Sequence, residues 1–144
     1  MAGAVVQVAL QDMHGMGRMM RDGQSGWQTW RPGMMRVLAT PTTAPHGVVS
    51  FVVSNTGVIP HELVVLPLIA TQVVGTRVVG ADGKVEETGS ITEASADCAA
   101  GTGDGITPGS TGWSTATLPT GRYELICNLP GHYTAGMYTE LDVN

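Results

Sequence analysis

The chain has 144 residues, enough to bury most of its apolar surface in one domain over residues 1-144. Its 20 glycines are about twice the usual share, valine is abundant and charged residues make up only 13%, a balance that favours short strands joined by turns over helices. The net charge of −5, the single lysine Lys84 and the lack of any basic run exclude nucleic acid as an expected partner.

The first strand is expected over Val5 to Leu10. Met1-Ala2-Gly3 and the short apolar run after it lack the preceding positive charge and the length of a signal peptide. Neither a leader nor an anchor is read in this chain, and no apolar run approaches the ~20 residues of a membrane span. Residues 11 to 35 read as a loop rich in Met, Gly and Trp. Met34 to Thr40 is the second strand, closed by Pro41. Val48 to Ser54 follows, with Val49, Phe51 and Val53 on one face by the two-residue period. Asn55-Thr56-Gly57 is a turn, and His61 to Leu66 is a strand ending at Pro67.

Residues 80 to 109 are polar and acidic, and Lys84 to Cys98 has room for a short helix despite Gly89. Gly101-Thr102-Gly103-Asp104-Gly105 lacks the lysine of a phosphate-binding loop and is read as a plain loop. Strands resume at Thr111 to Leu118 and at Arg122 to Cys127, where Tyr123, Leu125 and Cys127 share a face. Met137, Thr139, Leu141 and Val143 mark one face of the last. About seven short strands at this spacing predict an all-β sandwich with a Met-rich loop insert near the N-terminus.

The chemistry concentrates between the last two strands. Cys127, His132 and Met137 follow one another as C-x4-H-x4-M. Thiolate and imidazole bind in a trigonal plane, with a thioether long and weak above it, in mononuclear electron-transfer copper sites. Zinc sites use Cys and His but rarely Met. The set needs one more histidine, and His61, at the start of an apolar strand after Pro60, is the best candidate. The alternative for the thiol is a disulfide between Cys127 and Cys98, the only other cysteine. A disulfide would consume the thiolate that makes the spacing intelligible. Cys98 has no nearby His or Cys and reads as a free thiol without a role.

On these residues, and on the strand-turn segments Val48 to Gly57 and Leu118 to Cys127, the chain resembles the cupredoxins, the blue-copper β-sandwich family. Its loop spacing is most similar to the rusticyanin and sulfocyanin-like members. The resemblance is strongest over residues 36 to 66 and 106 to 143. It implies a Greek-key sandwich holding one type 1 copper, Cu(I)/Cu(II), with His61, Cys127, His132 and Met137 as ligands. One position departs from familiar members. Glu62 stands where many carry Asn or Ser, and it either accepts hydrogen bonds from the ligand loop or is solvated. The turn residues Val58, Ile59, Pro60, Leu129, Pro130, Tyr133 and Ala135 are candidates for an apolar rim around His132.

The resemblance therefore implies an extracytoplasmic electron carrier, monomeric, whose redox-partner proteins dock near His132. It implies no small-molecule substrate, and either a membrane-anchored parent or a membrane-bound partner is compatible with it. The rival function is copper handling by the Met-rich segment 13-35, since Met13, Met16, Met19, Met20, Met34 and Met35 are six of the eight methionines. Thioethers favour Cu(I), but flexible Met side chains beside Trp27 and Trp30 equally suit an apolar cap. An enzyme is not expected. Multicopper oxidases place histidines on both sides of the cysteine, whereas Ile126 and Asn128 stand here. Only His14 and His46 remain beyond the two ligand candidates, too few for a second multi-histidine centre.

Overall fold

A computed structural model describes residues 3–12, 33–94 and 105–144. Met13, His14, Met16, Met19, Met20, Trp27, Trp30 and Cys98 lie outside the described residues, as does most of the glycine-rich loop at 101–105.

The strands are β1 (Ala4–Asp12), β2 (Met35–Thr40), β3 (Thr43–Ala44), β4 (Gly47–Asn55), β5 (Leu63–Leu68), β6 (Thr92–Ala94), β7 (Thr111–Leu118), β8 (Gly121–Ile126) and β9 (Tyr138–Val143). One sheet runs β2-β1-β4-β7 and the other β3-β9-β8-β5-β6. In the first sheet β1 lies parallel to β4, while β2 and β7 flank that pair antiparallel. In the second, β8 sits between β5 and β9, antiparallel to both. The fold is thus the all-β Greek-key sandwich expected from the sequence.

Alternation explains the packing of the two sheets. Val6, Val8 and Leu10 of β1, Val49, Phe51 and Val53 of β4, and Tyr123, Leu125 and Cys127 at β8 bury their side chains in one shared core. Met137, Leu141 and Val143 join it from the β9 side. Strands β5 and β8 are buried on both faces. Val64, Leu66 and Ile126 form a second cluster with Val85 and Tyr133, because segment 69–91 crosses the outer face of this sheet. Leu63 to Leu66 therefore read as a continuous apolar run rather than an alternating one.

Three expectations are corrected here. The helix over Lys84 to Cys98 is not formed by its described residues. Val85 instead makes a bridge to Val79, and Thr92–Ala94 adds β6 to the edge of β5. The strand after His61 does not stop at Pro67, which pairs with Tyr123, and β5 continues to Leu68. Strand β6 pairs only with Leu63–Val65, so Pro67 has no ladder on its other side and is tolerated as on an edge. Finally, β1 runs two residues past Leu10, to Asp12. No helix among the described residues is long and apolar enough to cross a membrane.

Candidate metal centre

At one end of the sandwich, two connections come together. The first leaves β4 at Asn55, whose buried side chain shapes the loop from within. Its amide donates to the carbonyls of Ile59 and Ile106, and its oxygen accepts from Gly57 N–H. His61 closes this loop. Its backbone makes an isolated antiparallel bridge to Ile106, just ahead of β5.

The second connection, between β8 and β9, begins at Cys127. Its turns are locked internally, His132 N–H donating to Leu129 C=O and Ala135 N–H to Gly131 C=O. Cys127 N–H donates to Met137 C=O, and Met137 N–H to His132 C=O. Met35 N–H of β2 donates to Ala135 C=O, which ties the loop to the first sheet. The approach is close at Gly136 (φ 111°), where a Cβ would meet the Met35 carbonyl at 2.8 Å, so only glycine fits.

These elements bring three donor atoms to one point. His61 Nδ1 and His132 Nδ1 are 3.1 Å apart, Cys127 Sγ is 3.3 Å from His132 Nδ1, and it is 3.9 Å from His61 Nδ1. An ion bonded to imidazole and thiolate at about 2.0–2.3 Å would separate three trigonal donors by about 3.5–4.0 Å. The observed triangle matches that size to a few tenths of an ångström, and its soft thiolate with two imidazoles suits copper. His61 is fully buried and His132 is 6% exposed. Met137 is fully buried in the same core cluster as Cys127.

Burial sets the electrostatics. It holds His61 below the ordinary imidazole value, partly offset by Asp12, and lowers His132 to about 3, with His61 adding to the effect. Both imidazoles are therefore neutral at pH 7, as ligation requires. Burial pushes the Cys127 thiol up to about 12, against the backbone N–H groups of Glu62 and Leu129 that favour the thiolate. Glu62 N–H lies 3.3 Å from Cys127 Sγ. Cys127 is a free cysteine, which removes the disulfide alternative.

Glu62 differs from both expectations. Its side chain is buried rather than solvated, and it meets the Glu93 carboxyl of β6 rather than the ligand loop. Burial, then Glu93, raises its carboxyl to about 8. The apolar rim is also smaller than expected. Val58 and Pro60 are exposed beside His61, and Leu129 and Pro130 are partly or fully exposed before His132. Tyr133 and Ala135 are instead buried, one in each core cluster.

Sequence reasoning missed the groups that hold the loops. Asn128 pairs like a strand residue with Val85, giving and accepting one hydrogen bond, and its amide also reaches Glu87. Tyr133 donates to buried Glu124, which also accepts from Gly75 N–H and pairs with Arg77 at 2.5 Å. Asp12, at the end of β1, lies 2.9 Å from His61 Nε2. The signal for Asp12 was present in the inward alternation Val6, Val8, Leu10, Asp12. His46, by contrast, contacts the Asn144 carbonyl at the opposite end of β4.

A family model described as the sulfocyanin (SoxE) domain matches residues 34–144. No curated protein sequence is significantly similar to the chain. Among solved structures, dithionite-reduced auracyanin from the photosynthetic bacterium Roseiflexus castenholzii is 16% identical, with a TM-score of 0.57 and coverage of 99% of this chain and 98% of that one. Auracyanin A from Chloroflexus aurantiacus, described as a "blue" copper protein, is also 16% identical, with a TM-score of 0.52 and coverage of 98% and 100%. Reduced rusticyanin is 18% identical, with a TM-score of 0.51 and coverage of 100% and 82%. At these identities the likeness is one of fold.

Proposed function

The chain belongs to the sulfocyanin domain family, and from that premise we propose that it is a mononuclear type 1 copper protein that shuttles single electrons between redox partners. The observation that carries the proposal is the convergence of His61 Nδ1, His132 Nδ1 and Cys127 Sγ within 4.8 Å of one another in a buried site. Copper held there would supply one-electron Cu(II)/Cu(I) chemistry. Bound copper would be held by the Cys127 thiolate and the His61 and His132 imidazoles, with the Met137 thioether as a fourth, weaker ligand. Met137 follows the two loop donors in chain order and shares their burial, which supports this role.

The chain's own part is to hold the donors still and keep water out. His61 is fixed by the Ile106 bridge, and the ligand loop is fixed by Asn128, Tyr133 and Met35. Such bracing limits how far the donors move when the metal's charge changes. A partner protein docks over Val58, Pro60, Leu129 and Pro130, beside the edge of His132, where apolar contact sheds water. The protein acts as an extracytoplasmic monomer, takes no small-molecule substrate and is not an enzyme.

The test is a comparison of Cys127→Ser with Cys98→Ser after copper loading. The wild type and Cys98→Ser are expected to show an intense thiolate-to-copper charge-transfer band, and Cys127→Ser to show none. A band that survives in Cys127→Ser would sink the assignment.

A further inference from the structure

Asp12 occupies the fourth inward position of β1, after Val6, Val8 and Leu10. Its side chain is 1% exposed, an unusual place for a carboxylate unless it is hydrogen-bonded. Here it has three N–H partners. Its oxygens accept from Val58 N–H at 2.9 and 3.1 Å and from Ile59 N–H at 3.3 Å, and Oδ2 lies 2.9 Å from His61 Nε2. Gly57 leaves room for this group, since a Cβ there would stand 2.0 Å from Oδ2.

The arrangement has a direction. A carboxylate only accepts hydrogen bonds, so His61 must donate through Nε2–H, and the proton is thereby kept off Nδ1. Nδ1 is the atom facing Cys127 Sγ and His132 Nδ1. A carboxylate behind a ligating imidazole fixes its tautomer and makes it a stronger donor. It also places a negative charge one imidazole ring away from the donor triangle, with little water to screen it.

We infer that Asp12 is a positioning residue for the metal centre, holding His61 as the Nε2–H tautomer and favouring Cu(II) over Cu(I). The inference rests on the copper assignment above. It extends that assignment to β1, which lies outside the matched residues 34–144.

Two measurements test it. The first is made on metal-free protein, by long-range 15N–1H correlation of the histidine rings. Wild-type His61 is expected as a single Nε2–H tautomer; His61 protonated at Nδ1 would overturn the inference. The second is the reduction potential of the copper-loaded Asp12→Asn variant, in which the amide keeps the shape but loses the charge. The ratio of Cu(II) to Cu(I) affinity is expected to fall about tenfold, a rise of about 59 mV for one electron, with the charge-transfer band retained. Gly57→Ala, which pushes the carboxylate off His61 without removing it, is expected to raise the potential in the same direction. If Asp12 merely braced the loop, both variants would lose stability with the potential unchanged, and that result would overturn the inference. The copper assignment fails separately, through a missing charge-transfer band in the wild type, and the tautomer measurement still judges Asp12.

Discussion

Cys127 and His132 titrate in opposite directions for one reason. Burial opposes charge, so it raises the thiol to about 12 and lowers the imidazole to about 3. At pH 7 the metal-free site therefore holds a protonated thiol and two neutral imidazoles. Coordination deprotonates the thiol, so copper binding is expected to release about one proton per ion. Calorimetry in buffers of different ionisation enthalpy measures this; release near zero would contradict a buried, protonated Cys127. Glu62 gives a second expectation, for the metal-free chain. Its carboxyl holds its proton up to about 8 when folded and releases it near 4.5 when unfolded. The unfolded chain binds fewer protons between those values, so stability is present at low pH and is lost as pH rises towards 8. His132, shifted downward, costs stability only as pH falls below 6.5, which leaves pH 6.5 to 8 to Glu62 and its partner Glu93. Glu62→Gln is expected to flatten the decline of the urea midpoint across that window; equal slopes in both proteins would rule the effect out. The convergence of His61, Cys127 and His132 was legible in the sequence because Cys and His carry metal chemistry wherever they stand. Glu62 was not legible, because what buries it is β6, which has no apolar pattern of its own.

The elements were readable where one face is wet. Strand β4 alternates and its bounds follow from Val49, Phe51 and Val53. Strand β1 alternates too, but ending it at Leu10 gave Asp12 to the Met-rich loop and hid its role. The two-residue β3 and three-residue β6 are too short to show any period. Residues 80 to 109 looked like a polar stretch with room for a helix over Lys84 to Cys98, because the order of the part that lies in segment 69–91 comes from the sheet it covers. Glu124 makes this concrete. It points outward from β8, is fully buried, and is satisfied by Arg77, Gly75 N–H and Tyr133. Removing one partner of a buried pair leaves an uncompensated charge. Arg77→Ala is therefore expected to cost about 3 kcal/mol of unfolding free energy. Arg122→Ala, which breaks the half-exposed pair with Glu140, should change stability far less. Chemical denaturation of both variants tests this, and similar losses would mean that segment 69–91 is not anchored through Glu124.

At the scale of the whole molecule, the donors come from different parts of the fold. His61 is placed by the β4–β5 connection and Cys127 and His132 by the β8–β9 loop, while Asp12, which contacts His61 on the far side of its ring, comes from the first strand. Among the described residues, His61, Cys127 and His132 form one group that could hold a metal ion. Most of the Met-rich segment lies outside the described residues, and there the rival of copper handling can be tested. Replacing Met13, Met16, Met19 and Met20 together with Leu removes the thioethers and keeps apolar bulk, and such swaps cost under about 1.5 kcal/mol each. A carrier with one site is expected to bind one copper per chain both before and after the change, and to exchange electrons at a similar rate. Storage or delivery would instead show a wild-type Cu(I) count of two or more, falling to one in the variant while the charge-transfer band stays intact. A Cu(I) competition titration against a chromogenic chelator distinguishes the two. The second outcome would replace electron transfer by metal handling as the function of the chain, with the buried triangle retained as only one of its sites.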